Sequence, residues 1–252
     1  DIEDNFLEEQ KGLNPFIMML KGPGKAKYLI KNSDYVICSS PFLNDYCSGI
    51  NLKKASAFIS SSVNTKYFIP KNIYNNKKTV TVGWTGTFSS KRHLDILRDV
   101  FLELNKRINF KLRVISNFHY DLPGIDLEVI QWKKKNEVKD LQGIDIGIYP
   151  LVQDDWVLGK SGLKAIQYMA FGLPTVATNV GTTPRIIKHM TNGWLVKTDE
   201  EWIVALEELI KNPKLRKNLG EAGRLTILEN YSIDVIKSTY LTILNNVTGR
   251  RI

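Results

Sequence analysis

Short strand-like runs alternate with amphipathic segments over residues 79 to 196, and that alternation constrains the fold more than any other feature of the chain. "TVTVGW", "FKLRVIS", "LEVIQW", "IDIGIYP", "TVAT" and "GWLV" read as strands; "HLDILRDVFLELNKR", "NEVKDLQ" and "LKAIQYMAF" read as helices. Strands separated by helices predict an α/β fold, a parallel sheet with crossover helices. Gly172 ends the helix "LKAIQYMAF" and Pro174 prevents its continuation. Thr198 and Glu201 form a capping box for "EEWIVALEELI", and two helical segments, "PKLRKNLGEAGRLTILEN" and "SIDVIKSTYLTILNNV", close the chain.

The same alternation is present earlier in shorter form. A helix ending near Asn32, a strand from Tyr35 to Ser39, a helix around "PFLNDYCSGI" and a strand in "ASAFISS" make a β-α-β unit. Residues 64 to 79 lack periodicity and read as a linker, which puts a domain boundary there. The expected domains are therefore 1–74, 75–231 and a terminal helix over 232–252.

Composition narrows the class. With 252 residues and 43% hydrophobic content the chain can bury one large core or two modest ones. No run approaches the roughly 18 apolar residues of a membrane span, and the start "DIEDNFLEEQ" is acidic where a secretory signal would be basic. A cytoplasmic protein is expected, with the inner membrane face as the alternative location. Cys38 and Cys47 are too few for a disulfide framework and read as small buried residues. The excess of 35 Lys+Arg over 26 Asp+Glu, a formal charge of +9, favours anionic partners. Lys21, Lys25, Lys27 and Lys31 could meet acidic headgroups, but such a run is more often a solvated helix face, so peripheral membrane contact is the lesser reading. Nucleic acid is not expected, because the cations form no stripe interleaved with aromatics.

Ligands of an open α/β sheet bind outside the carboxyl ends of its strands. The first loop there is "GWTGTFSSKRHL". Gly83 and Gly86 allow a tight turn, Ser89 or Ser90 can cap the next helix, and Lys91 and Arg92 add charge where helix N–H groups attract phosphate. The second is "DDWVLGKSG". Gly159 and Gly162 permit close backbone approach, Ser161 can cap, and Lys160 and Lys164 put two cations beside a helix start. Gln167, three residues beyond Lys164 on the same face, suits a ribose or sugar hydroxyl; Ile166, Tyr168 and Met169 belong to the core. Trp132, at a strand end, reads as packing or as a neighbour of a base. His93, His119 and His189 are too scattered for a metal site.

The ordered series from "VGWTGTFSSKRHL" through "IDIGIYPLVQDDWVLGKSGLKAIQYMAFGLPTVATNVGTTPRII" to "NGWLV" resembles the donor-binding domain of GT-B retaining glycosyltransferases, family 4 in particular. The resemblance covers residues 79 to 230, with 1–74 similar to the end of the acceptor-side domain, where "DIED" sits like a strand-end acidic cluster. It implies a Rossmann-like sheet and transfer of a hexose from a nucleotide diphosphate sugar to a glycan or lipid-linked acceptor in surface polysaccharide synthesis. Metal is not required and no cofactor is implied. Gly86 and Thr87 take the place of the family's first phosphate loop and Arg92 that of its diphosphate-binding lysine. Gly159 and Gln167 stand where the family usually carries two glutamates eight residues apart. The resemblance thus implies donor diphosphate contacts at Gly86, Thr87, Arg92, Lys160, Ser161, Gly162 and Lys164, ribose contact at Gln167, and no assigned catalytic residue. Alternatives are a nucleotide-sugar-binding module without turnover and a GT-B-like nucleotide-sugar epimerase or phosphorylase. A chain holding the donor half of such an enzyme is expected to be a fragment, or a shortened protein, with little transfer activity alone.

Overall fold

A computed structural model of the chain describes residues 24–70 and 79–249. The acidic start, Lys21 and residues 71–78 of the expected linker lie outside the described residues. The described chain divides into two compact units: one holds residues up to Ser61, Gln153–Ser161 and the segment from Asp234 onward; the other holds Ser62–Val152 and Gly162–Ile233.

The smaller unit contains α1 (Gly24–Asn32), β1 (Val36–Cys38), α2 (Pro41–Ile50), β2 (Ser56–Phe58), the one-turn α6 (Asp155–Leu158) and most of α11 (Ile233–Thr248). β1 and β2 pair in parallel, Val36 opposite Ser56 and Cys38 opposite Phe58. Proline at its first turn and the Ser40 hydroxyl, which accepts Leu43 N–H at 3.2 Å, start α2. Ile30, Val36, Cys38, Leu43 and Cys47 form its apolar centre, and both thiols are buried and free. Asn51, buried beneath the α2–β2 connection, donates to Ile30 O at 2.7 Å and Ser33 O at 3.0 Å and accepts Ala55 N–H at 3.0 Å. One side chain thereby ties the end of α1 and the residue after it to the α2–β2 connection, satisfying backbone groups that would otherwise be stranded away from water.

The larger unit carries β3 (Thr81–Gly86), a 3₁₀ turn (Phe88–Ser90), α3 (Lys91–Asp95), α4 (Arg98–Arg107), β4 (Lys111–Ser116), β5 (Asp126–Gln131), α5 (Glu137–Leu141), β6 (Ile146–Tyr149), α7 (Leu163–Ala170), β7 (Thr175–Thr178), α8 (Thr183–Ile186), β8 (Trp194–Val196), α9 (Asp199–Lys211) and α10 (Pro213–Asn230). Its six strands run in the order β5-β4-β3-β6-β7-β8, all parallel. Alternation across the pleat separates the two faces. Ile146 and Ile148 join Val82, Trp84, Leu112 and Val176 in the core beneath α4 and α9, whereas Gly147 between them meets Tyr168 of α7. The helix expected from His93 to Arg107 is two helices. Leu97 N–H bonds to Leu94 O at i+3, a tighter turn that keeps both fully buried leucines in the core.

Residues 62 to 70 pack within this unit, ahead of the boundary expected near residue 75. Arg224 of α10 holds them: its guanidinium donates to Thr65 O and Phe68 O, both at 2.9 Å, and to Ala170 O at 2.6 Å. Burial lowers its pKa, so these carbonyls are what compensates the charge. Ile233 N–H and Val63 O add a backbone bond at 3.1 Å. An aperiodic segment is thus ordered by one cation 156 residues beyond Phe68 in sequence. Arg224→Met, which keeps the aliphatic stem but strands three carbonyls, is expected to destabilise the chain by about 2–3 kcal/mol in urea unfolding.

Candidate functional site

Strand order reverses between β3 and β6, with β4 and β5 on one side and β7 and β8 on the other. A crevice outside the carboxyl ends at such a switch point is where open parallel sheets bind ligands. β3 ends at Gly86 and feeds the 3₁₀ turn; β6 ends at Tyr149 and leads towards α7.

Two side chains of α7, one turn apart, dock it against β3. The Tyr168 hydroxyl accepts Thr85 N–H at 2.8 Å, and Lys164 Nζ donates to Ser90 Oγ at 3.2 Å while lying 5.1 Å from the centre of the Trp84 ring. Tyr168 is fully buried and burial pushes its phenol far above the usual tyrosine range, so it stays a neutral hydrogen-bonding group. Gly147 makes the close approach possible, because a Cβ there would sit 2.6 Å from the Tyr168 ring.

The loop after β3 closes on itself. Ser90 Oγ accepts Thr87 N–H at 3.1 Å and donates to Thr87 O at 3.0 Å, and Asn117 Oδ1 accepts Phe88 N–H at 2.9 Å. The Thr87 and Ser89 hydroxyls are 2.9 Å apart on the exposed rim. This departs from an open cradle of amides capped by Ser89 or Ser90: the first amides are already occupied, and Ser90 makes no side-chain cap to α3. What the loop presents outward is hydroxyls and a neighbouring ammonium. Gly86 is required for a reason other than a tight turn. A Cβ there would fall 2.2 Å from the Trp84 ring and 2.7 Å from Ser90 Oγ.

The start of α7 also differs in detail. Its cap position is Gly162, in the left-handed region at φ 77°, without a side-chain cap, and Ser161 stands one residue before it. Along α7 the apolar residues Ala165, Ile166, Tyr168 and Met169 are buried, leaving Lys164 and Gln167 half-buried on the remaining face. The structure therefore brings Gly86, Thr87 and Lys164 together through Ser90 and Trp84, and places Gly162 and Gln167 on the same helix as Lys164. Arg92 is exposed on α3. Lys160 and Ser161 fall in the Gln153–Ser161 segment of the smaller unit, where Asp154 caps α6 by accepting Val157 N–H at 3.1 Å. Trp84 and Tyr168 are the residues whose part at this site the sequence did not reveal, and Ser90, expected as a helix cap, instead accepts from Lys164; the spacing of Lys164 and Tyr168 by four was the sole signal. His93 is buried and structural, its Nδ1 accepting Val152 N–H at 3.0 Å. Trp132 is partly exposed just past β5. Among the described residues no group of His, Cys, Asp and Glu could hold a metal ion, and no helix is long and apolar enough to cross a membrane.

Residues 68–226 match the family model described as glycosyl transferases group 1. The chain belongs to this family. An uncharacterized glycosyltransferase of Haemophilus influenzae is 36% identical over 200 residues, covering 74% of this chain and 55% of that protein. An uncharacterized glycosyltransferase of Methanocaldococcus jannaschii is 28% identical over 215 residues, covering 81% and 58%. This group 1 glycosyltransferase chain thus spans between half and two thirds of the length of these relatives. Its fold is that of HepE from Anabaena, solved with UDP, at a TM-score of 0.73 and 11% identity over 97% of this chain and 71% of that one; HepE has also been solved with UDP-glucose. The GT-B type of sheet expected from the sequence is the one observed.

Tyr168→Phe removes the acceptor of Thr85 N–H without changing the packed volume. A loss of about 1–2 kcal/mol in stability is expected, read by thermal or urea unfolding.

Proposed function

We propose that the larger unit binds a nucleotide diphosphate sugar at the carboxyl ends of β3 and β6, as the donor half of a retaining family 4 hexosyltransferase. The observation that carries this reading is Lys164: its ammonium is held by Ser90 Oγ and the Trp84 ring at the switch point, so a cation is preorganised beside the loop after β3. Transfer from such a donor demands stabilisation of the departing diphosphate, and fixed cations and helix N–H groups supply it without solvent reorganisation. In this reading Gly86, Thr87, Arg92, Gly162 and Lys164 of the larger unit meet the diphosphate and Gln167 the ribose, with no metal. The binding of UDP and UDP-glucose by HepE supports a nucleotide sugar as ligand. The smaller unit would belong to the acceptor side, which in such an enzyme meets a glycan or lipid-linked acceptor of surface polysaccharide at the cytoplasmic side of the membrane. A module that binds the donor without turnover is the second reading.

Calorimetric titration with a panel of nucleosides and nucleoside diphosphates tests the reading. Diphosphates should bind and nucleosides only weakly; Arg92→Ala and Lys164→Ala should each cost about 1.5–3 kcal/mol of affinity. Gln167→Glu should preserve binding and Gln167→Leu weaken it. Equal affinity for nucleoside and diphosphate would defeat the assignment. Alone, this chain should give at most slow donor hydrolysis, because positioning between facing domains can supply about 7–11 kcal/mol of the barrier. Robust acceptor-dependent transfer by these 252 residues would overturn that expectation.

A further inference from the structure

A cavity that shares no residue with the site at the ends of β3 and β6 opens beside the outer edge of β8. It has a volume of about 490 Å³ and is lined by Asn179, His189, Trp194, Lys197, Glu200 and Glu201, with Leu195 and Val204 completing its apolar wall. That volume lies within the range of small-ligand pockets, roughly 300–1,000 Å³.

We infer that this cavity binds a neutral saccharide. The Trp194 ring is half-buried and stands edge-on to the His189 imidazole, 6.1 Å between centres and 87° between planes, which fixes it as a rigid apolar wall. Leu195 N–H donates to His189 Nδ1 at 3.2 Å, which leaves Nε2–H as the donor of the ring. Glu201 Oε2 accepts Lys197 N–H at 2.6 Å, so the carboxylate is oriented and keeps a second oxygen for a ligand. Glu200 is ion-paired with Arg107 at 3.4 Å and likewise retains acceptor capacity. Asn179, anchored by its N–H to Val196 O at 2.8 Å, adds an amide that both donates and accepts.

Charge selects among ligand classes. An anion would face Glu200, Glu201 and the neighbouring Asp199 at the start of α9; a cation would face Lys197 and Arg107. Hydroxyl groups use both kinds of partner, and the C–H face of a sugar ring needs an aromatic wall. An imidazole donor, an amide and two oriented carboxylates around one tryptophan therefore match a polyol better than any ion. The inference stands on this cavity alone and does not depend on the phosphate reading.

The intact 252-residue chain should be titrated calorimetrically with maltose, cellobiose, N,N′-diacetylchitobiose and methyl α-mannoside, with tetramethylammonium as the cation control. At least one saccharide should bind with a Kd below about 5 mM. Trp194→Ala should weaken that binding by about tenfold or more, as should Val204→Arg, which fills the cavity from an exposed helical position that tolerates arginine. A saturating concentration of UDP should leave the affinity unchanged. The inference is overturned if no saccharide binds, if Val204→Arg leaves binding intact, if UDP displaces the sugar, or if only the cation binds in a manner that Val204→Arg abolishes.

Discussion

The docking of α7 on β3 is the interaction on which the rest of the larger unit's carboxyl edge depends. Tyr168 reaches through the space that Gly147 leaves open and takes the Thr85 N–H, while Lys164, one turn earlier, reaches Ser90 and the Trp84 ring. These contacts fix the helix start relative to the loop after β3. Both belong to one face of an eight-residue helix, so a rotation that improved one would break the other. Ala165, Ile166, Met169 and Ala170 of the same helix are buried in the core, which removes the freedom to rotate.

That constraint changes the character of the site. A glycine-containing loop before a helix suggests an open arrangement of amides waiting for an anion. Here the amides of Thr87 and Phe88 are held by Ser90 and Asn117, and the glycine is needed because the Trp84 ring lies over it. Positive charge reaches the loop from another element, as the Lys164 ammonium. The loop supplies rigidity and hydroxyls; α7 supplies the charge.

The strands and helices were largely legible in the sequence, because a strand of β-branched residues and a helix with a buried stripe carry their own periodicity. β3 through β8, α2 and α9 all fall where the pattern puts them. Thr198 does cap α9, accepting Glu201 N–H at 3.2 Å, although the Glu201 carboxylate takes the Lys197 N–H and not that of Thr198. What local pattern did not show was ordering at a distance. Residues 62 to 70 carry no periodicity, and what holds them is a guanidinium on α10. The break between α3 and α4 has no glycine or proline to mark it and follows from two leucines that both had to be buried.

By itself, then, the sequence determined the class of the fold, the order of its elements, the core face of α7 and the set of cations and glycines near the strand ends. Those properties are local: each follows from the conformational preference or periodicity of a few neighbouring residues. The tertiary structure alone decided which of those residues meet. Trp84, Ser90 and Lys164 come together only because parallel crossovers place β3 beside β6 and turn α7 against them. The cavity beside β8 likewise joins Asn179, His189 and Trp194 to the first turn of α9, across strand and helix ends that only the sheet brings together. A contact between residues far apart in sequence depends on strand order and on packing, and neither is written in any single segment of the chain.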